Sequence, residues 1–191
     1  MEKIIFDTDI GGDCDDTGAL AIVHECERAG KAKLLAVTLS TASPYAAGCA
    51  DAINRWYGRE VPIGQTKRTP PGEDPDFYVK SYGRHIAEVY DNAYKANGGN
   101  APEDAVRVLR RALAENTGEK ITIVACCINI AALLKSGGDD ISPLSGRELL
   151  AREAKALSLM GCFFPTEEVP EVWFGTEKME AECNIKVDIG G

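Results

Sequence analysis

Short apolar runs alternate with segments of helical periodicity along this chain of 191 residues, and that alternation restricts the fold more than any other feature. Lys3–Asp7 is an apolar run that ends in acid and glycine, which predicts a buried strand. Ala19, Leu20, Ile22, Val23 and Cys26 recur at helical spacing, with Gly30 as the stop. Lys33–Leu39 predicts a second strand. Pro44 opens a helix that passes through Ala52 and Trp56 to Gly58, and Val61–Gly64 predicts a short third strand. Pro70, Pro71, Gly72 and Pro75 make residues 66–76 a loop. Tyr78–Tyr94 and Pro102–Glu115 read as helices, the latter capped near Asn100 or Ala101. Lys120–Ala125 is β-branched and predicts a buried strand. Helices over Asn129–Lys135 and Gly146–Glu153 and a last strand over Ala156–Met160 complete the pattern. The expected fold is α/β: an open, mostly parallel sheet flanked by helices, in one domain spanning residues 1–191. Ligands of such sheets bind beyond the carboxyl ends of the strands. There lie the run after Asp7, Ser40 to Ser43, Cys126 to Asn129, and Gly161.

The first of these loops is densely acidic. Asp7, Asp9, Asp13, Asp15 and Asp16 fall within ten residues. Two unit charges about 4 Å apart repel by about 4 kcal/mol at an effective dielectric near 20. A fold accommodates such pairs with a cation, with raised pKa values, or by splaying the side chains into water. Asp7 and Asp9 share one side of an extended strand, and Gly11 and Gly12 permit a tight turn. Asp15 and Asp16 then fall at a helix start, where N–H groups and the dipole favour anions. Carboxylates from both sides of the turn converge, and hard oxygen donors suit Ca²⁺ or Mg²⁺. The bland alternative is a set of aspartates that cap a helix and solvate a turn. The chain lacks the D-x-D-x-D-G order of an EF-hand, with a glutamate at loop position 12. An aspartyl-nucleophile phosphatase lacks the threonine expected soon after the motif.

Composition narrows the partners. A formal net charge of −9 leaves no basic stripe for nucleic acid or an anionic membrane surface. Arg107, Arg110 and Arg111 are spaced as one solvated helix face. Seven cysteines, odd in number and without C-x-x-C, read as reduced and mostly buried thiols rather than a disulfide framework or zinc site. His24 reads as packing, and His85 as structural or surface. With no signal peptide before Met1 and no membrane span, the expectation is a cytoplasmic protein.

Asp7-Thr-Asp-Ile-Gly-Gly-Asp-Cys-Asp-Asp-Thr-Gly-Ala-Leu20 resembles the D-T-D-x-G-x-D-x-D-D-x-x-A-L signature of the nucleoside hydrolase family. Further resemblances follow in family order. Leu35–Ser43 resembles the second-strand segment, and Asn129-Ile-Ala-Ala-Leu-Leu134 the N-L-A-x-L-L helix start. Ala156–Gly161 resembles the L-x-x-M-G-G strand, and Glu182-Cys-Asn184, with Asp188 beyond, the E-F/Y-N segment.

The resemblance implies Ca²⁺-dependent hydrolysis of the N-glycosidic bond of ribonucleosides, or of related N-ribosyl compounds, to ribose and free base. It implies that Asp9 touches the metal and acts as general base on the attacking water, that Asp16 is a bidentate calcium ligand, and that Ile128 offers its main-chain carbonyl. Asp15 then holds the ribose 2-hydroxyl, Asp7 stands behind them, and Met160, Glu182 and Asn184 line the ribose pocket. Asp13 belongs to a longer version of the turn. Ser43 stands where the family commonly has a sugar-binding asparagine, and Cys183 where it has an aromatic residue. Buried packing is the expected role of Cys126 and Cys127. The chain stops at Gly191, short of the family's C-terminal part with its calcium-binding aspartate and leaving-group histidine. The alternatives are a non-catalytic calcium- or ribose-binding relative, a degenerate member, or a site completed by another subunit of a homo-oligomer or by a separately encoded C-terminal part.

Overall fold

The computed structural model describes residues 1–68, 77, 80–94 and 99–161, together with the backbone of two short strands at 173–174 and 177–178. Its elements are β1 (Glu2–Thr8), α1 (Asp15–Arg28), β2 (Ala32–Leu39), α2 (Ala46–Trp56), β3 (Ile63–Gln65), α3 (Tyr82–Val89), β4 (Glu103–Asp104) and α4 (Ala105–Glu115). They continue with β5 (Ile121–Ala125), α5 (Cys127–Lys135), α6 (Gly146–Glu153) and β6 (Ala154–Leu159). Trp173–Phe174 (β7) and Glu177–Lys178 (β8) form a small antiparallel pair.

β1 to β6 form one six-stranded sheet in the order β4-β3-β2-β1-β5-β6, with every pairing parallel. Alternation along the strands divides the core between two faces. Phe6, Val37 and Ile63 pack with Leu20, Val23, Ala47 and Ala50, under α1 and α2. Ile5, Ala36 and Ile123 pack with Leu109, Leu113, Leu133 and Leu149, under α4, α5 and α6. The winding changes direction at β1, whose neighbours are β2 on one side and β5 on the other. In open α/β sheets ligands bind at such a switch point, beyond the carboxyl ends of the strands.

Most expected elements are present, and the departures have local causes. The helix expected over Tyr78–Tyr94, of which Tyr78 and Val79 lie outside the described residues, is interrupted at Ser81 and ends at Val89. Ser81 is extended, with φ −93° and ψ 174°. Beyond Val89 the Asn92 amide donates to the carbonyls of Ala87 (2.8 Å) and Tyr90 (3.0 Å), closing the helix end. The helix expected from Pro102 begins at Ala105, because Glu103–Asp104 pairs with Gly64–Gln65 as an edge strand. Asp104 is its cap, accepting from the backbone N–H of Val106 (2.8 Å) and Arg107 (3.2 Å). The third strand lies slightly later than expected, at Ile63–Gln65.

One arginine overturns the solvated-face reading. Arg110 is 1% exposed. Its guanidinium donates to both oxygens of Asp139 (2.8 and 2.9 Å), to Ser136 Oγ (3.1 Å), and to the carbonyls of Ser142 (3.0 Å) and Leu144 (2.8 Å). Arg107 and Arg111 do lie at the surface, paired with Asp140 and Glu103. His24 is packed as expected, stacked on Tyr57 at 4.7 Å with Nε2 2.8 Å from Asn54 Oδ1, and His85 is exposed. Cys14, Cys26, Cys49, Cys126 and Cys127 are free thiols. Among the described residues no helix is long and apolar enough to cross a membrane.

Candidate functional site

The loops that leave the sheet at its carboxyl edge are stitched to one another. Ser40 N–H donates to the Thr8 carbonyl (2.9 Å), and Met160 N–H to the Ala125 carbonyl (3.1 Å). The Gln65 amide donates to the carbonyls of Thr41 (2.9 Å) and Ser43 (2.8 Å). The convergence expected of the segments after β1, β2, β5 and β6 is therefore met, with the end of β3 joining them.

The acidic loop is held from beneath and from the side. Thr8, fully buried, accepts the Ile10 N–H on its hydroxyl (3.1 Å). Gly11 then takes φ 120°, a conformation that side chains beyond glycine rarely adopt. From the side, Ser81 Oγ and the Gly83 N–H (3.3 Å) both donate to the Gly11 carbonyl. The Tyr82 hydroxyl donates to the Asp13 carbonyl (2.5 Å) and lies 2.7 Å from Thr17 Oγ1. A Cβ on Gly12 would lie 2.0 Å from Cε1 of Phe77, so the Phe77 ring sits directly on the turn. The start of α3 thus clamps the loop against α1.

Four of the five aspartates fall into two pairs with different surroundings. Asp16, half-buried at the start of α1, contacts the Asp9 side chain. Burial first, and then Asp9 as hydrogen-bond partner and like charge, push its carboxyl up to about 8, against a lowering contact from Thr8. Asp13 and Asp15 are exposed. Partial burial and the adjoining Asp15 hold Asp13 above its ordinary value.

Asp7 lies behind them, 2% exposed. Its Oδ1 accepts from Thr38 Oγ1 (2.6 Å) and from Asn129 Nδ2 (2.7 Å). Its Oδ2 is buried and has no hydrogen-bond partner among the described residues. Burial pushes Asp7 up to about 7 and Asp9 adds to the rise, while Thr38, Asn129 and the Cys126 backbone oppose it. Cys126 Sγ lies 3.9 Å from Asp9 Oδ1. Burial, followed by the charges of Asp9 and Asp7, pushes this thiol well above its ordinary value, so it remains an S–H donor. Cys126 is buried, as expected, but it faces the acidic loop. Cys127 is only half-buried.

The remaining expected site residues are distributed around this centre. Ile128 is 4% exposed in the first turn of α5, next to Asn129. Ser43 is buried, and its Oγ accepts the Tyr45 N–H (3.3 Å) in the turn before α2. Met160 is exposed just past β6. Glu182, Asn184 and Asp188 lie outside the described residues. Sequence reading assigned no role to Thr38, Asn129, Tyr82 or Phe77. For Asn129 a signal existed, since it is the one amide in the apolar run Ile128-Asn-Ile-Ala-Ala-Leu-Leu134. Thr38 carries no such signal, because threonine is an ordinary strand residue.

In chemical terms the centre offers two adjacent carboxylates as hard oxygen donors, a character that fits Ca²⁺ or Mg²⁺. Among the described residues, no group of three or more His, Cys, Asp or Glu side chains is arranged to hold a metal ion. Carboxylate donors beyond Asp9 and Asp16 are therefore not gathered at this point.

Solved structures share this architecture. The fold is nucleoside hydrolase-like. An inosine-uridine preferring nucleoside hydrolase from Bacillus anthracis matches 100% of this chain with TM-score 0.68 and 18% identity. The effector protein XOO4466 matches 100% of it with TM-score 0.62 and 17% identity. The type III effector protein XopQ, solved in complex with adenosine diphosphate ribose, matches 99% of it with TM-score 0.63 and 17% identity. The chain spans 59% of the first of these structures and 50% of each of the other two. In sequence, no family model and no curated protein matches it.

Proposed function

We propose that this chain is a Ca²⁺-dependent N-ribosyl hydrolase, cleaving the N-glycosidic bond of a ribonucleoside or a related N-ribosyl compound. The observation that carries the reading is the contact between Asp9 and Asp16 at the carboxyl end of β1, beside the switch point of a nucleoside hydrolase-like fold. Two carboxylates in contact are stable only with a proton or a cation between them. The carboxylates of Asp9 and Asp16 and the main-chain carbonyl of Ile128 would hold Ca²⁺. When bound, the ion lowers the pKa of water and supplies hydroxide near neutral pH.

The protein's own groups do the rest. Asp9 takes the proton of the attacking water as its oxygen bonds to the anomeric carbon. The carbon–nitrogen bond breaks, its electron pair stays on the base, and the base takes a proton from solvent, balanced by the proton that Asp9 then returns to solvent. Asp15 holds a ribose hydroxyl, and Ser43 and Met160 line the sugar; the family resemblance assigns the same role to Glu182 and Asn184, which lie outside the described residues. Nearby carboxylates stabilise the positive charge that develops on the ribose.

The test is incubation of the wild-type chain and Asp9→Asn with a panel of nucleosides and Ca²⁺. The reading expects release of free base by the wild type alone, and equal absence of release from both proteins rejects catalysis. A second reading, ribosyl binding without cleavage, draws support from XopQ having been solved with adenosine diphosphate ribose bound. It expects saturable binding of that ligand with no free base released. In either reading the partner is a small molecule, the protein acts in the cytoplasm, and a homo-oligomer or a separately encoded part would supply any further site residue.

A further inference from the structure

Asn129 has no role in the proposed chemistry, yet it is a deeply buried amide at the candidate site. It is 1% exposed, and its Nδ2 reaches across 122 residues of sequence to Asp7 Oδ1 at 2.7 Å. Thr38, fully buried on β2, donates to the same oxygen at 2.6 Å. One carboxylate oxygen therefore receives two donors from two different elements, and the other receives none among the described residues. Such an arrangement fixes both the rotamer and the plane of the Asp7 carboxylate. Asp7 is near enough to Asp9 for their charges to interact. Cys126, which caps the same helix as Asn129, brings its thiol to within 3.9 Å of Asp9.

We propose that Asn129 is a positioning residue for the cation site: it locks Asp7 behind Asp9, so that cation affinity depends on an amide that touches no ligand. The inference rests on the reading of Asp9 and Asp16 as cation ligands. The physical basis is general. Groups that orient the surroundings of metal ligands set the direction and strength of the field on the ion, and losing one weakens metal affinity about 10- to 100-fold. Asn129 acts from α5 and Thr38 from β2, so two separate elements brace Asp7.

The experiment is titration calorimetry with CaCl₂ on the wild-type chain, Asn129→Leu, Thr38→Val and Leu133→Ala, each checked for fold by circular dichroism. Leu133 is fully buried on the same helix as Asn129 and packs in the hydrophobic core, so its truncation controls for simple destabilisation. The expected result is Ca²⁺ binding by the wild type, binding about 10- to 100-fold weaker in Asn129→Leu, a loss in the same direction in Thr38→Val, and wild-type affinity in Leu133→Ala. Should Asn129→Leu not fold, Thr38→Val, which keeps the shape of the side chain, decides alone. Wild-type affinity in a folded donor variant overturns the inference and leaves the cation reading intact. Equal loss in Leu133→Ala also overturns it, because the effect is then structural. Absence of Ca²⁺ binding by the wild type removes the cation reading itself, and the inference with it.

Discussion

The hydroxyls of Tyr82 and Thr17 lie 2.7 Å apart, joining the first turn of α3 to the first turn of α1 across the acidic loop. Because the Tyr82 hydroxyl also donates to the Asp13 carbonyl, Thr17 must be the donor to Tyr82, and burial pushes the phenol up to about 12 so that it keeps its proton. Tyr82→Phe removes both contacts with little change of shape. The expected cost is about 1 kcal/mol per lost bond, read by urea denaturation, with faster amide exchange in the Gly11–Asp13 backbone. Unchanged exchange there rules out the clamp.

Gly83 supports the same loop by having no side chain. A Cβ at that position would stand 2.6 Å from Gly11 Cα and 2.8 Å from the Gly11 carbonyl oxygen. Gly83→Ala is expected to cost about 1–3 kcal/mol through overpacking against backbone. Thermal denaturation measures the cost, and a variant as stable as wild type shows that the loop can move aside.

Asp16 and Asp9 make a prediction about cation removal. In EDTA, Asp16→Asn is expected to melt at or above the wild-type temperature, because it relieves two adjoining carboxylates. Ca²⁺ at about 100 times its dissociation constant then adds about 2.7 kcal/mol to the wild type. For a chain of this size that is a rise of about 5–10 °C, and Asp16→Asn should show little of it. A Ca²⁺-induced rise of equal size in both proteins places the ion elsewhere.

Arg110 and Asp139 make a prediction about pH. Arg110→Leu is expected to cost about 1–3 kcal/mol, since it leaves the carbonyls of Ser142 and Leu144 without the donor that now satisfies them. The Arg110 guanidinium also holds the Asp139 carboxyl below its ordinary value of 3.8. A depressed carboxylate stabilises the fold above its unfolded pKa, and the contribution fades as pH falls through the folded value. The stability gap between wild type and Asp139→Asn should therefore narrow between about pH 6 and about pH 3. A gap constant over that range would show that the pairing carries no pH-linked stability.

The sequence revealed what depends on local pattern. Apolar runs such as Lys3–Asp7 and Lys120–Ala125 mark the central strands because buried parallel strands are apolar on both faces. The capping box of Ser145 and Glu148 sets the start of α6. The acidic motif marked the candidate site, since a strand end followed by two glycines and a helix start brings carboxylates together whatever lies beyond. Features that depend on distant partners were not legible. The i, i+3, i+4 spacing of three arginines cannot say that Arg110 turns inward, because Asp139 and the carbonyls of Ser142 and Leu144 make that possible from another loop. Two residues of β4 are too few to show a period. Ser81 leaves the helical path to reach Gly11, 70 residues earlier, and nothing near it in sequence announces that contact.

The place of β1 in the sheet has a consequence for assembly of the molecule. β1 is an interior strand, paired with β2 close by in sequence but with β5 only from residue 121 onward. Contacts of such long sequence separation form late and slow the search for the native state. Until β5 arrives, β1 has one bare edge and Asp7 lacks its Asn129 partner. The acidic centre is thus among the last parts of the domain to mature, and a chain halted before α5 would carry the whole motif without the geometry that gives it meaning.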